Sequence, residues 1–531
     1  MLSAVPEAAL LSLTDKRGLI ELASALRERG LPIFATSGTA DGLRSAGIDS
    51  RLVEDITGFA QLGGGRVKTL HPLVFAGILA RSAADLDELA SHAAPAFSVV
   101  AVNLYPFERT ASQCGSQSDV LDDIDIGGVA LLRAAAKNFH RVSVLSDPSQ
   151  YAPFLDALSK AGPSLADRRA LAVAAYRRCE RYDGAIARWF ERSAEGMPAA
   201  VGLPACELPD SLPIDLTVRL RPRYGENPWA KAAFYSGVGD WELPVQLAGK
   251  ALSYNNLLDV DACLRLLAPA ADPAGFPSSA APKKRTVAAI VKHTVPCGVA
   301  AADSAAQALH KALGADPMSA FGGIVACDER LDEIAAQVLK PCFLEVIAAP
   351  GYTEAALHVL RSKKHLRVLR YARSLPERLQ AGAKVRSALG GVLIEVPDAQ
   401  AQDDRWEVVS QRQPLREQWR DLLFAFAAVR QVKSNAAVVV RDQVTLGMCG
   451  GQTNRVSAVA LACARAADAA RGAVLATDGF FPFADGVQAA AQAGIAAIVA
   501  PYGSIRDREI VAAAHAADVC LVFAQRRYFL H

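Results

Sequence analysis

The sequence predicts an α/β protein in two parts, and three observations carry that expectation. Short β-branched and apolar runs alternate with amphipathic helical stretches from the first residues onward, the rhythm of a parallel sheet with helices on both faces. The chain has 531 residues, more than one core usually serves, so two or three domains are expected. From Ser193 to Leu216 the composition turns to Pro, Ala and Gly (Met197-Pro198, Leu203-Pro204, Leu208-Pro209, Leu212-Pro213), which suits a linker. The boundary is therefore expected near residue 200, giving domains 1–200 and 201–531.

Composition narrows the class. Hydrophobic residues at 51% and charged residues at 21% describe a globular chain able to bury large cores. The net charge of +2 offers no basic field for nucleic acid or an anionic membrane. Ala-rich apolar runs break well short of a membrane span, and Met1–Glu7 lacks the basic start of a secretory leader. Ten cysteines without a Cys-x-x-Cys pair read as small buried hydrophobes in a reducing cytoplasm, rather than as a disulfide framework or zinc ribbon.

Ala9–Leu13 reads as the first strand, and Thr14-Asp15 as the cap of a helix ending near Arg29-Gly30. Ile33–Ala35 is the next strand, followed by the loop Thr36-Ser37-Gly38-Thr39 opening a helix closed by Gly47. Hydroxyls and free N–H groups at a helix start suit a phosphate, although such turns are more often ordinary caps. Gly63-Gly64-Gly65-Arg66-Val67-Lys68-Thr69 adds close backbone approach, two cations and a hydroxyl, which favours a phosphate subsite over a solvated basic turn. Phe97–Leu104 is a buried strand stopped by Tyr105-Pro106. Asp125, between two isoleucines and before Gly127-Gly128, is a carboxylate in an apolar frame. It precedes a nearly uncharged helix, Val129–Asn138, that carries Lys137 near its end. Each alone is more often structural, and Asp125 could simply cap that helix. Helical patterning then continues through Arg168–Glu191.

Several of these stretches, in order, resemble the cyclohydrolase part of the bifunctional AICAR formyltransferase / IMP cyclohydrolase family of purine biosynthesis (AICAR, 5-aminoimidazole-4-carboxamide ribonucleotide). They are Ser12 with Thr14-Asp15-Lys16, Thr39 with its loop, Gly65–Pro72, Asn103–Phe107, Ile124–Gly128 and Arg133–Asn138. The resemblance implies a methylglyoxal-synthase-like parallel-sheet domain that closes the purine ring. It further implies that Lys68 and Lys137 stabilise the oxyanion and that Tyr105 and Asp125 relay protons. Ser12, Lys16, Ser37, Gly38, Thr39, Arg66 and Thr69 would seat the ribose phosphate.

In the second part, Val287–Val291 reads as a strand buried on both faces that ends in Lys292-His293, with Pro296 and Gly298 forbidding its continuation. A cation and an imidazole at the end of such a strand are costly to desolvate, and desolvation brings their proton transfer toward neutrality. The dipeptide alone leaves this reading level with a snorkelling Lys beside a hydrogen-bonded core His. Polar tips recur at Arg223-Tyr224, Asn255-Asn256, Asp316–Phe321, Lys433-Ser434-Asn435, Gly451–Arg455, Asp478–Asp485 and Arg526–His531, so a cleft lined by several strand ends is expected. Phe480-Phe481-Pro482-Phe483 could stack a flat heterocycle, with aromatic core the cheaper account of at least two rings. Ala268–Lys284 reads as a surface insert. A zinc deaminase is excluded because its His-x-Glu and Pro-Cys-x-x-Cys spacings are absent.

These motifs resemble the transformylase part of the same family, so the resemblance covers nearly the whole chain. It implies two cytidine-deaminase-like α/β subdomains without zinc and a homodimer with transformylase sites at the subunit interface. By resemblance, a formyl group moves from the co-substrate 10-formyltetrahydrofolate to the 5-amino group of AICAR. His293 would take the amine proton, Lys292 would stabilise the oxyanion, and Asn435 would polarise the formyl group. Arg223, Tyr224, Asn256, Arg455 and Arg527 would hold the nucleotide, and Phe480 and Asp485 would border the folate pocket. No catalytic metal is implied; a structural potassium ion occurs in the family. Departures from the family pattern are Trp229 for His, Val295 for a polar residue, Ser37 for Gly, Tyr502 and Gly479 for Gly and Ala, and Arg526-Arg527-Tyr528-Phe529 at the end. Two other readings are a paralogue keeping only ring closure or using a modified nucleotide, and a non-catalytic nucleotide-binding scaffold.

Overall fold

The computed structural model describes residues 5–59, 67–112, 116–195, 216–236, 243–268, 285–396 and 405–531. Two compact units, Met1–Ala200 and Val201–His531, make up the chain. Most of the Pro-rich linker, nearly all of the expected surface insert, and the Gly63-Gly64-Gly65-Arg66 run lie outside the described residues.

In the first unit, β1 (Glu7–Leu13), β2 (Ile33–Ala35), β3 (Arg51–Leu52), β4 (Ala96–Asn103) and β5 (Ser143–Leu145) form a parallel sheet in the order β3-β2-β1-β4-β5. Its central strands are apolar almost throughout because both faces are covered. Helices α1 (Leu19–Glu28) and α2 (Ser37–Ser45) pack Leu22, Leu26 and Leu43 against Leu11 and Ile33 on one face. On the other, α3 (Pro72–Leu79), α4 (Gly127–Lys137) and α5 (Leu165–Glu195) pack Ile78, Leu131 and Tyr182 against Leu10, Phe97 and Val100. Two boundaries differ from expectation. Thr14-Asp15 does not cap α1, which begins at Leu19 after Gly18 in a left-handed conformation (φ 71°). The N–H groups of Thr14 and Asp15 instead go to the Asn103 side chain, a long-range bond that outcompetes the local cap. Ser37, Gly38 and Thr39 form the first turn of α2 rather than a loop before it.

The second unit contains one structural unit twice. The first copy runs β6 (Val245–Ala248), α6 (Tyr254–Arg265), the hairpin β7 (Thr286–Lys292) and β8 (Val295–Ala302), and α7 (Ala305–Ala315). It continues through β9 (Gly323–Cys327), α8 (Glu333–Leu339), β10 (Leu344–Ala349), α9 (Glu354–Arg361) and β11 (Arg367–Arg370). The second runs β12 (Trp406–Val408), α10 (Arg416–Val429), the hairpin β13 (Ala437–Arg441) and β14 (Val444–Cys449), and α11 (Arg455–Ala466). It ends with β15 (Val474–Thr477), α12 (Asp485–Gln492), β16 (Ala497–Pro501), α13 (Asp507–Ala516) and β17 (Cys520–Ala524). Together they form one 12-stranded sheet, β12-β17-β16-β15-β13-β14-β8-β7-β9-β10-β11-β6. In both copies the first strand lies antiparallel to the last and the third helix-linked strand pair runs parallel. Gly298 and Gly447 hold the same place, three residues into β8 and β14. A Cβ there would sit 2.1 Å from the Ala312 or Ala462 carbonyl, so only glycine lets α7 and α11 lie this close.

The copies meet at β8 and β14, which run antiparallel and share the register pair Ala300↔Val444. Beyond it, toward Val295 and Cys449, no further register pair joins the two strands among the described residues. There the Thr445 hydroxyl, which accepts from Val299 N–H at 2.9 Å and donates to the Val299 carbonyl at 3.2 Å, links the two strands at their seam. The strand ends at Lys292 as expected, but Pro296 and Gly298 are not what ends it. The chain turns back through His293-Thr294, and Pro296 and Gly298 run inside β8 at a register shift that tolerates them.

Two candidate active sites

The first unit's sheet changes winding direction between β1 and β4, where open α/β sheets hold their ligands beyond the strand ends. Asn103, ending β4, ties the two loops together there: its oxygen accepts from Thr14 and Asp15 N–H, and its nitrogen donates to the Asp15 carbonyl at 2.8 Å. Lys16 Nζ donates to the Leu13 carbonyl at 2.7 Å, and burial pulls its ammonium below the ordinary Lys value while Asp41 opposes this. The Thr39 hydroxyl accepts from Leu13 N–H at 2.9 Å, and Ser12 lies 3.4 Å from Thr36. Ser12, Lys16 and Thr39 thus gather at the end of β1, beside the N-terminus of α2 with Ser37 and Gly38.

A second group assembles at the N-terminus of α4. Asp125 Oδ1 accepts from Gly128 N–H at 2.7 Å. Burial pushes its carboxyl above the ordinary range, with the Gly128 and Tyr105 N–H groups pulling the other way. Burial, with Asp125 and Asp123, pushes the Tyr105 phenol up. The Thr69 hydroxyl lies 2.8 Å from where a Gly127 Cβ would stand, so glycine is what lets it approach. Lys68 precedes it in the same bend. Tyr182 on α5, absent from the expected site, accepts from Asp125 N–H and donates to the Asp123 carbonyl, bracing the loop.

Lys137 does not join this group. It lies twelve positions beyond Asp125 along α4, roughly 18 Å at the helical rise. Its carbonyl accepts from Arg81, and neighbouring Asn138 bonds Ile78 and Ala80 at the far end of α3. It lines a separate open groove of about 710 Å³ with Arg133, Arg169, Tyr176 and Arg177. Arg66 lies outside the described residues.

In the second unit, the strand ends on either side of the β8–β14 seam carry the remaining candidates. Lys292 and His293 stand at the β7–β8 turn, with His293 and Thr294 in left-handed conformations (φ 54° and 62°). The pair is not buried as the sequence suggested: Lys292 is half-buried and His293 exposed, because a hairpin tip projects from the sheet. Lys292 Nζ donates to the Phe321 carbonyl at 2.8 Å. The Phe321 ring stacks on Phe343 at 4.9 Å, and both are exposed. Asp259 on α6 accepts from Thr294 N–H at 2.6 Å. Arg223 and Tyr224 belong to a turn tied to the start of α6 by Asn255, whose amide donates to the Glu226 carbonyl.

Across the seam, two to three strand spacings or roughly 10–15 Å away, Asn435 precedes β13 and donates to the Gln452 carbonyl at 3.0 Å. Phe480 and Asp485 lie at the end of β15 and the start of α12, and Arg527 covers the Phe529 ring at 4.7 Å.

Two expected nucleotide ligands are nearly buried and bonded within the protein. Asn256 is 2% exposed; it completes the capping box of α6 with Ser253 and donates to Glu345 at 2.8 Å. Arg455 is 4% exposed and paired with the fully buried Asp478, while donating to the Ala436 carbonyl. Burying a guanidinium demands a carboxylate partner, and the bond to the Ala436 carbonyl ties Arg455 to the residue after Asn435. Of the three Phe480–Phe483 rings only Phe481 is fully buried, fewer than expected; Phe483 is half-exposed under Arg506 at 4.8 Å. Gly479, the departure from Ala, leaves room for Phe529, which would lie 2.6 Å from an added Cβ. Tyr528 packs between Arg430 and Phe426. Among the described residues no group of three or more His, Cys, Asp and Glu could hold a metal ion.

A family model described as AICARFT/IMPCHase bienzyme matches residues 135–465, and one described as MGS-like domain matches 18–130. A bifunctional purine biosynthesis protein PurH from Cyanothece sp. is 44% identical, covering 99% of this chain and all of its own. Proteins of the same name from Caulobacter vibrioides (42% identical; 99% of this chain, 97% of its own) and Synechococcus sp. (45%; 98% and 99%) are similar over the same span.

Proposed function

The chain belongs to the AICARFT/IMPCHase bienzyme family, and from that premise we propose how its residues divide two consecutive reactions. The enzyme transfers a formyl group from 10-formyltetrahydrofolate to AICAR, and then closes formamido-AICAR to IMP with loss of water, ending purine ring assembly. Similarity over the full length favours both activities over a chain that keeps ring closure alone.

Formyl transfer belongs to the second unit, residues 201–531. The supporting observation is the seam where the two copies of the repeat meet, with Lys292-His293 on one side and Asn435 on the other. The AICAR amine is conjugated with its ring and a poor nucleophile, so it needs a base and a stabilised oxyanion. His293 takes the amine proton as the C–N bond forms, a contribution of about 10²–10⁴-fold. Lys292, tethered by one of its three N–H donors to Phe321, turns another to the oxyanion. Asn435, oriented by Gln452, keeps a second N–H for the formyl oxygen. Arg223, Tyr224 and Arg527 hold the nucleotide; the exposed Phe321–Phe343 pair, with Phe480 and Asp485, borders the folate ring.

Ring closure belongs to the first unit, residues 1–200. The carboxamide nitrogen attacks the formamide carbon. Asp125 exchanges protons there, and burial shifts its carboxyl toward the protonated form against the pull of the Gly128 and Tyr105 N–H groups. Tyr105 stays protonated and donates, and Lys68 faces the developing oxyanion. Ser12, Lys16, Ser37, Gly38, Thr39, Arg66 and Thr69 seat the phosphate beside the α2 N-terminus. Lys137 reaches such a pocket only from a second copy of the chain.

The enzyme works as a homodimer. The hairpin Lys384–Ala388/Gly391–Glu395 exposes Val385, Leu389, Val392 and Leu393, an apolar surface of the kind a second copy covers. The cytoplasm is its compartment, in keeping with eight free cysteines among the described residues. A structural potassium ion fits best at Asp478, whose Oδ2 is buried without a partner, an oxygen donor of the type that ion takes. No step of either reaction runs through it.

An ultraviolet assay with AICAR and formyl-folate, paired with one that starts from synthetic formamido-AICAR, tests the division. His293→Ala should abolish IMP formation from AICAR and leave closure of formamido-AICAR intact. Asp125→Ala should do the reverse, accumulating formamido-AICAR. Loss of both steps in either variant would sink the assignment of one chemistry to each unit.

A further inference from the structure

Two carboxylates hold the same place in the two copies of the repeat. Asp259 is the sixth residue of α6, and Asp421 the sixth of α10. Asp421 accepts from the N–H groups of Asp442 and Gln443, at 2.9 and 2.7 Å, and so caps the β13–β14 turn. Asp259 accepts from Thr294 N–H at 2.6 Å and faces that of His293, capping the β7–β8 turn. All four turn residues adopt left-handed conformations that non-glycine residues avoid, φ between 54° and 62°. A carboxylate receiving both turn N–H groups is what holds such a turn in place. The brace is thus a property of the repeated unit, and only the first copy mounts Lys-His on it.

We propose that Asp259 is a positioning residue for formyl transfer. It fixes the turn that projects His293, and it sets its negative charge beside the imidazole as that ring becomes cationic. This rests on His293 being the base assigned above. When the amine attacks, its N–H bond breaks, the electron pair remains on nitrogen, and the proton moves to His293. The same proton equivalent returns to N10 of the folate as the C–N10 bond breaks. A neighbouring carboxylate favours the intermediate imidazolium.

The charged and titratable groups around this turn are few. Lys292 lies on the turn itself, Asp259 on α6, Glu345 on β10 with Arg367 of β11 at 3.8 Å, Cys297 on β8, and Asp316 after α7. Glu345 is engaged by Asn256 and Arg367. Asp259 is therefore the carboxylate that serves the turn. Burial raises its pKa, and the Thr294 N–H and the His293 ring draw it back toward the charged form.

Asp259→Asn tests this in the full-length enzyme, because an amide oxygen can still cap the turn while the charge is lost. The pH profile of kcat/KM for formyl transfer is read alongside closure of formamido-AICAR. Asp259→Asn should lower formyl-transfer kcat about 10–100-fold, change the KM for AICAR little, and move the acid limb of the profile to lower pH. Ring closure and the thermal midpoint should stay near wild type. Asp421→Asn, the same change in the other copy, should leave the profile in place. A profile for Asp259→Asn that superimposes on wild type, while His293→Ala is inactive, overturns the inference and leaves the function standing. An active His293→Ala overturns both.

Discussion

Tyr182 buries its ring in the first unit's core, while its hydroxyl accepts from Asp125 N–H at 2.8 Å and donates to the Asp123 carbonyl at 2.9 Å. Burial pushes its phenol to about 12, so it remains a donor at any working pH. Tyr182→Phe leaves both backbone groups unpaired. It should cost about 1–3 kcal/mol in urea unfolding and slow ring closure without touching formyl transfer. Asp421 tests the same physics with the opposite sign. Burial raises its carboxyl, against the N–H groups of Gln443 and Asp442. A raised folded value means that the native state binds the proton more tightly than the unfolded chain. Its stabilising contribution is complete below the ordinary Asp value, and it is lost as pH rises through the folded one. Relative to Asp421→Asn, the wild type should therefore lose stability as pH climbs from about 4 toward neutrality. A rising difference would contradict this.

At the scale of elements, hairpin tips and helix starts place the chemistry. The β7–β8 turn projects Lys292-His293 beyond the sheet, and the N-terminus of α4 gathers Asp125, Tyr105 and Thr69. Both rest on close backbone packing. Gly298→Ala and Gly447→Ala would each drive a methyl into a helix carbonyl, at Ala312 or Ala462. Each should cost roughly 1–3 kcal/mol, read as a lower thermal midpoint. Gly298→Ala should also impair formyl transfer more than Gly447→Ala, because β8 leads directly from the catalytic turn. Equal loss of activity would argue that the candidate site responds only to general destabilisation.

At the scale of the whole molecule, the separation of Lys137 from Asp125 along α4 makes the dimer testable. Chains carrying Lys137→Ala and chains carrying Asp125→Ala should each fail to close the ring. Refolded together, they should recover about a quarter of wild-type activity, since half the dimers are mixed and each of those has one complete pocket. No recovery would show that Lys137 does not act across a subunit boundary. The sequence by itself determined three of the five strands of the first sheet, β1, β2 and β4, and the two-part chain, because apolar runs and turn residues encode local structure directly. Only the tertiary structure decided what surrounds the candidate residues. Asn256 and Arg455 read as polar tips in sequence, and packing places them in a helix cap and a buried ion pair. The bracing roles of Tyr182 and Asp259 went unread, because each depends on groups far apart in the chain meeting. Burial and distance belong to the folded backbone, and a linear pattern of side chains does not contain them.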